Sequence, residues 1–352
     1  MKKEKKKQTV AVLFGGCSPE YSVSLQSAYA VITHMNPEKY DTVLIGIDGD
    51  SGQWYLYRGD VDRIPEDQWM DERLCTPVTV SMDRREHSLC YMEEGTVKKI
   101  ALDAALPVLH GRNGEDGTVQ GVFELAGIRV VGCGLLCSAV CMDKEMAHQI
   151  VSAAGIRTAR SFMAEKPYRE TELMSRAEEL GYPLFVKPLR AGSSFGITKV
   201  CRRTELIPAV ERAFEHDSLI VMEEMIDGFE VGCAILGNQE LTVGEVDEIE
   251  LSDGFFNFEE KYTLKTSKIH VPARISPEKA EEIKEAAVTI YRVLKCTDFA
   301  RIDMFLTPEG EICFNEVNTI PGFTTHSRYP GMLKAAGISF EEIVDRILEG
   351  VR

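Results

Sequence analysis

The chain predicts a mixed fold, an α/β unit followed by two α+β units. Three observations carry this. Residues 9–47 hold an apolar run ending in Gly-Gly, a helically spaced stretch and a second apolar run, which is a βαβ opening. Residues 182–200 hold two strands joined by a glycine-rich loop. Residues 299–318 read as two antiparallel strands around the turn Thr307-Pro308-Glu309-Gly310.

In order, TVAVLFGG (9–16) gives the first strand, SVSLQSAYAVITHM (22–35) a helix and YDTVLIGI (40–47) a second strand. A mixed, less regular stretch runs to about residue 100. ALPVLHGRNGEDGTVQGVFELAG (105–127) then supplies a strand, a glycine-punctuated polar loop and a short helix, and the first unit is placed at 1–133. The second, 134–222, has a helix around CMDKEMAHQIVSAAG, a strand, a helix over 170–181 and the strand pair YPLFVKPL and FGITKV. The third, 223–352, contains EVGCAIL, ELTVGEV, a long polar loop, a helix and FLTPEGEICFNEV. That helix starts on Ser276 as N-cap with Pro277 behind it, and Ile283, Ala287, Ile290 and Leu294 share one face.

At 352 residues the chain can bury a large core. Its 40 basic against 56 acidic residues leave a net charge of −16, which excludes general nucleic-acid binding but not a local basic pocket for a small phosphate ligand. The basic start MKKEKKK is followed by VAVLF, too short for a secretory core, so it reads as a solvated tail. No apolar run approaches membrane-spanning length. A cytoplasmic, non-membrane protein is expected. Ten cysteines form no CxxC; Cys133, Cys137 and Cys141 fall at i, i+4 and i+8 and read as reduced thiols filling small buried slots.

The loop GGCSPEYSVS lacks GxGxxG, which removes a dinucleotide-dependent dehydrogenase. Glu20 sits there at the mouth of a βα turn, where α/β sheets bind ligands; it either holds an ammonium group or complements the helix dipole. His110, in HGRNGEDG, either lines a site or is a hydrogen-bonded structural histidine. Lys187 lies within an apolar strand, where an unpaired lysine is costly, and RAGSSFG follows with glycines, hydroxyls and backbone donors. Such a loop beside a strand-borne lysine grips a polyphosphate. Glu223 and Glu230 lie close enough to accept ribose hydroxyls, or are ordinary surface acids. Arg301 and Asp303 share one strand face by period two, as do Glu316 and Asn318 on the partner strand. Asp303, Glu316 and Asn318 offer oxygen ligands for Mg²⁺; the other reading is an ion pair with Arg301.

Together GGCSPEYSVS, LHGRNGEDGTVQG, CMDK, VKPLRAGSSFG, EKY, RIDMF and NEVNTIPGFTTHS resemble the D-alanine–D-alanine ligase family of ATP-grasp enzymes, in the family's order and over nearly the whole chain. The resemblance implies a Rossmann-like N-terminal domain and two α+β lobes clamping ATP. It implies that Lys144 and Lys187 hold ATP phosphates under the 192–196 loop with Ser193 and Ser194, and that Glu223 and Glu230 contact adenosine. Asp303, Glu316 and Asn318 would hold Mg²⁺, two ions, with Mn²⁺ a substitute. Glu20 would bind the first substrate's ammonium, supported by Ser193 and Tyr262, with His110 lining that end. Arg301 and the Gly322 backbone would form the oxyanion site. Lys261 and Ser327 would face the phosphate and the second substrate. The implied reaction joins two D-amino acids through an acyl phosphate, in a homodimer, with residues 250–268 as lid. A non-catalytic nucleotide sensor on this fold would tolerate loss of Arg301 or Glu20, and both are present.

Two positions depart from the family pattern. Glu224 stands where many relatives carry a lysine beside the adenine pocket. Arg328 stands after the His-Ser pair, where housekeeping members carry an apolar residue. A charge in the second-substrate pocket needs a polar partner, and a hydroxyl-bearing substrate supplies one. This resembles the D-alanine–D-serine ligases of vancomycin resistance, of VanC, VanE and VanG type. Phe255, Phe256 and EKYTLKTSKIHVPA resemble the VanG type, and Tyr262 argues against D-lactate. D-alanine as second substrate is the alternative, with Arg328 facing solvent or paired to an acidic neighbour.

Overall fold

The computed structural model describes residues 6–190, 196–251, 267–324 and 326–349. Ser193, Ser194, Phe255, Phe256, Lys261, Tyr262 and most of the expected 250–268 lid lie outside these residues.

β1 (Gln8–Gly15) is buried from Val10 onward, because its apolar run is sandwiched on both faces. It pairs in parallel with β2 (Tyr40–Ile47) and β7 (Ala104–Pro107), and β7 with β8 (Arg129–Val130). Gly15 turns the chain out of β1 at φ +89°, and a Cβ there would collide with the Ile47 carbonyl of β2. Only glycine fits this turn, which delivers Glu20 to the start of α1 (Tyr21–His34). The βαβ opening is therefore present.

The stretch read as irregular instead extends the same sheet. β3 (Trp54–Tyr57), β4 (Cys75–Val80), β5 (Ser88–Glu93) and β6 (Thr96–Ala101) run antiparallel, giving eight strands in the order β6-β5-β4-β3-β2-β1-β7-β8. Pro77 within β4 and the exposed, lysine-bearing β6 blur the alternation that would mark these as strands. α2 (Thr118–Ala126) packs between β7 and β8 in the chain.

α3 (Leu135–Met142) and α4 (Lys144–Ala153) lead to β9 (Arg157–Thr158). A four-stranded sheet follows, in the order β10-β13-β11-β12. It comprises β10 (Ser161–Glu165), β11 (Leu184–Pro188), β12 (Thr198–Val200) and β13 (Leu219–Glu224), covered by α5 (Glu170–Leu180) and α6 (Leu206–Ala213). β11 and β12 pair antiparallel, Leu184 opposite Val200, so the anticipated strand pair forms.

The last sheet has the order β17-β16-β14-β18-β19-β9, with β15 (Leu241–Val243) on β14. Its strands are β14 (Phe229–Gly237), β16 (Asp247–Leu251), β17 (Ser267–His270), β18 (Phe299–Leu306) and β19 (Ile312–Asn318). β9 joins this sheet rather than the neighbouring one, pairing in parallel with β19. α7 (Pro277–Val293) is capped as its sequence requires, the Ser276 hydroxyl accepting from Lys279 N at 3.2 Å, and it buries Ile283, Ala287 and Ile290. α8 (Arg328–Ala335) and α9 (Phe340–Glu349) return to the first sheet: Met332, Leu333, Val344 and Ile347 share a core with Val12, Phe14 and Leu25. Each such side chain contributes roughly 1.5–3 kcal/mol on burial, so the C-terminal helices hold the first and last sheets together. Among the described residues no helix is long and apolar enough to cross a membrane.

Candidate active site

The four-stranded and seven-stranded sheets face each other across a cleft of about 510 Å³. Phe185, Ile197, Met225, Phe229, Ile249 and Phe314 give it apolar walls, and Lys144, Lys187, Lys199, Glu223, Glu230 and Glu316 supply polar groups. Flat apolar walls with a few convergent charges suit a heteroaromatic base and its phosphates. Lys144 opens α4, with its Nζ 3.5 Å from Leu189 O, and Asp143 caps that helix by accepting from Met146 N. Lys187 projects from β11 into an ion pair with Glu223 of the adjacent β13, a diagonal contact, since the register sets Glu223 opposite Phe185 and Lys187 opposite Val221. Burial pushes the Glu223 carboxyl up, but Lys187, with His148 and Lys144 beyond it, more than reverses this and holds it below its ordinary range. The apolar strand thus tolerates Lys187 because Glu223 neutralises it. Lys199, on β12, lines the same cleft and escaped the sequence reading. Glu224 pairs with Arg160 at 2.7 Å on the cleft margin.

At the cleft floor β18 and β19 set Arg301 opposite Asn318 and Asp303 opposite Glu316. Arg301 grips Asp303 through Nε at 2.8 Å and a terminal nitrogen at 2.7 Å, and Asn318 Nδ2 donates to the same carboxylate at 2.8 Å. Both readings of the segment therefore coexist: the ion pair is formed, and two carboxylates and one amide share a face. Asp303, Glu316 and Asn318 form a hard-oxygen set that fits Mg²⁺.

Arg328, the first residue of α8, lies behind this floor rather than in an open pocket. It is 7% exposed. Its Nε and one terminal nitrogen bind Asp247 at 2.7 and 2.8 Å, and its other terminal nitrogen binds Glu230 at 2.6 Å. Asp303 lies 3.5 Å away. Gly232 makes room for the pair, since a Cβ there would strike both the guanidinium and Asp247. The expectation that Arg328 leaves a charge for the substrate to satisfy is corrected: carboxylates of the chain itself satisfy it, which is the acidic-neighbour alternative. Glu230 lines the nucleotide cleft and holds Arg328 at once, so it connects the two.

At the other side, Glu20 is buried at the start of α1, over Gly111. His110 has both ring nitrogens engaged: Nδ1 donates to Ile320 O at 2.9 Å, and Nε2 accepts from the Ser27 hydroxyl at 3.1 Å. Ser27 accepts in turn from Phe323 N at 3.2 Å. Burial lowers the His110 pKa, so the ring is neutral. This is the structural alternative for His110, a brace between the first sheet and the 319–324 loop. Glu115 performs a parallel task and was missed in the sequence, where only the glycines and His110 of HGRNGEDG drew notice. It accepts from Gly111 N at 2.8 Å and Ile320 N at 3.2 Å, and burial, with Glu20 nearby, pushes it up to about 8. Beyond Gly322 the loop closes on Ser327, whose hydroxyl accepts from Thr324 N at 3.0 Å and contacts Thr324 Oγ1 at 2.8 Å.

Comparisons with known proteins agree with this arrangement. Residues 9–133 match the family model "D-ala D-ala ligase N-terminus" and residues 150–349 match "D-ala D-ala ligase C-terminus". The solved VanG D-Ala:D-Ser ligase of Enterococcus faecalis superposes with a TM-score of 0.92 at 53% identity, over 99% of this chain and 100% of that one. The vancomycin C-type resistance protein VanC1 of Enterococcus gallinarum is 43% identical over 96% of this chain and 97% of its own. A putative D-alanine–D-lactate ligase of Streptomyces coelicolor is 44% identical over 96% of each chain. The chain belongs to the D-alanine–D-alanine ligase family, ATP-dependent ligases of ATP-grasp fold.

Proposed function

We propose that this enzyme joins D-alanine to D-serine, giving the dipeptide precursor that vancomycin-resistant cell walls use in place of D-alanyl-D-alanine. The observation that carries the choice of D-serine is the likeness to a D-Ala:D-Ser ligase, 53% identical over 99% of this chain. Arg328 lies behind the floor with its charge satisfied, so it acts on the second-substrate end by holding Asp247 and Glu230 in place rather than by touching the substrate. Tyr262, in EKY, favours an amino acid over D-lactate.

The roles follow from chemistry. The D-alanine carboxylate attacks the γ-phosphoryl group of ATP, forming a carboxyl–phosphate anhydride and releasing ADP. Lys144 and Lys187 offset the charge on the transferring phosphoryl group. For Lys187 this means exchanging Glu223 for phosphate oxygen, and the freed Glu223 then accepts adenine or ribose donors with Glu230. Asp303, Glu316 and Asn318 hold Mg²⁺, which neutralises phosphate charge when bound. Glu20 takes the D-alanine ammonium. The neutral D-serine amine attacks the activated carbonyl, and Arg301 with the Gly322 N–H stabilises the tetrahedral oxyanion before phosphate leaves. Ser193, Ser194, Lys261, Tyr262 and Ser327 complete the phosphate and substrate contacts, and 250–268 excludes water that would hydrolyse the anhydride. A homodimer is the assembly proposed.

The test is purified enzyme with ATP, Mg²⁺ and D-alanine, with and without D-serine, products resolved by mass. The reading requires ADP release coupled to D-alanyl-D-serine. Exclusive D-alanyl-D-alanine in the presence of D-serine makes the protein a housekeeping ligase, and ATP binding without any dipeptide overturns the ligase chemistry.

A further inference from the structure

The Cys133, Cys137 and Cys141 ladder was expected to fill buried slots, and all three are buried. The structure adds a fourth thiol from far along the chain. Cys296, in the segment after α7, brings its Sγ to 3.5 Å from that of Cys137. Cys141, one turn along α3, lies 3.8 Å from Cys137 on another side. The sulfurs of Cys133, Cys137 and Cys296 all fall within 4.8 Å of one another. Exposure ranges from 2% at Cys133 to 8% at Cys141, so water is all but excluded.

This spacing is informative. Thiolates at about 2.3 Å from a tetrahedral cation lie about 3.8 Å apart along the edges. The contacts at Cys137 match that edge, while a disulfide needs sulfurs at about 2.05 Å. Four thiols spread over three segments also do more than fill volume. They meet where the chain leaves the first sheet, on α3, and where it enters β18 from α7.

We propose that Cys133, Cys137 and Cys296, with Cys141 as fourth donor, bind a soft d¹⁰ divalent cation, zinc or cadmium, in a closed structural site unconnected with the Mg²⁺ of catalysis. Binding forms one metal–sulfur bond per thiolate and releases one proton to solvent for each thiol ionised, with no change of oxidation state. Because the site is closed, the metal enters as the chain folds, and it ties the exit of the first sheet to the last one.

The experiment uses the full chain, purified with reduced thiols and without chelator. Elemental analysis is expected to find about one zinc per chain, and X-ray absorption at the zinc edge a sulfur shell at about 2.3 Å. Refolding with Co²⁺ in place of zinc is expected to give intense thiolate-to-cobalt charge-transfer bands. Those bands are expected to vanish in Cys137→Ser and weaken in Cys141→Ala. The absorption measurement needs no variant, so a variant that fails to fold does not leave the question open. A folded, active wild type with no zinc and no cobalt band overturns the proposal. So does an oxygen-only shell, bands that persist in folded Cys137→Ser, or a mass two hydrogens short, which would mark a disulfide.

Discussion

Two groups of acids border the candidate active site, and the chain handles them in different ways. Glu20 and Glu115 lie beside the first sheet, where Glu115 accepts from Gly111 N and Ile320 N and is raised to about 8 by burial and by Glu20. Asp303, Asp247 and Glu230 lie under the last sheet, caged by Arg301 and Arg328. Glu115 answers burial by being pushed toward its protonated form, the second group by holding arginines. Glu115 can therefore change charge near neutral pH, whereas the second group changes by exchanging its arginine partners. That difference suits a brace on one side and a ligand-exchanging floor on the other.

The comparison breaks most visibly at the ion pairs that must exchange. Lys187→Ala removes a proposed phosphate partner and leaves Glu223 buried without its neighbouring cation. ADP release is expected to fall on the order of 10³-fold, with circular dichroism unchanged; near-normal release would remove Lys187 from phosphate binding. Asp303→Asn takes a proposed Mg²⁺ ligand and the acceptor of Arg301 together. Turnover should fall about 10²–10³-fold, with added Mg²⁺ recovering little of it.

Arg328→Leu tests the cage itself. It strands Asp247 and Glu230, and breaking a buried pair this way costs about 3–5 kcal/mol. Denaturant unfolding should show that loss, and the surviving enzyme should shift product toward D-alanyl-D-alanine. An unchanged midpoint would mean that the cage contributes nothing to stability.

The smallest effect belongs to Glu115. Its folded pKa lies above that of an unfolded glutamate, about 4.3. Between about 4.3 and about 8 the folded state therefore binds the extra proton, and this group's contribution to stability falls as pH rises through that window. Glu115→Gln mimics the protonated form. It should leave activity at pH 7 within a few-fold and flatten that slope, and a slope identical to wild type would show that Glu115 does not titrate there.

What the sequence discloses and what it hides follow a physical line. Local signals survive: the Ser276 cap, the β11–β12 pair and the facing of Asp303 with Glu316 are written in short-range periodicity. Lys187 announces an acidic partner because an apolar strand cannot carry it alone. Partners distant in the chain leave no such mark. Asp247 stands 81 residues from Arg328, and Cys296 stands 159 from Cys137, so neither the cage nor the thiol cluster shows in any window of sequence. Glu115 hides differently, among glycines whose loop geometry alone decides which N–H groups it meets. β3 to β6 were obscured by Pro77 and exposed charge.

The most direct measurement is a competition at the second site, with D-alanine and D-serine both present, ATP and Mg²⁺ saturating, and the two dipeptides counted by mass across a range of ratios. The account predicts D-alanyl-D-serine in clear excess at equal concentrations, and loss of that excess in Arg328→Leu. An excess of D-alanyl-D-alanine in the wild type, or the same ratio in both proteins, would contradict it.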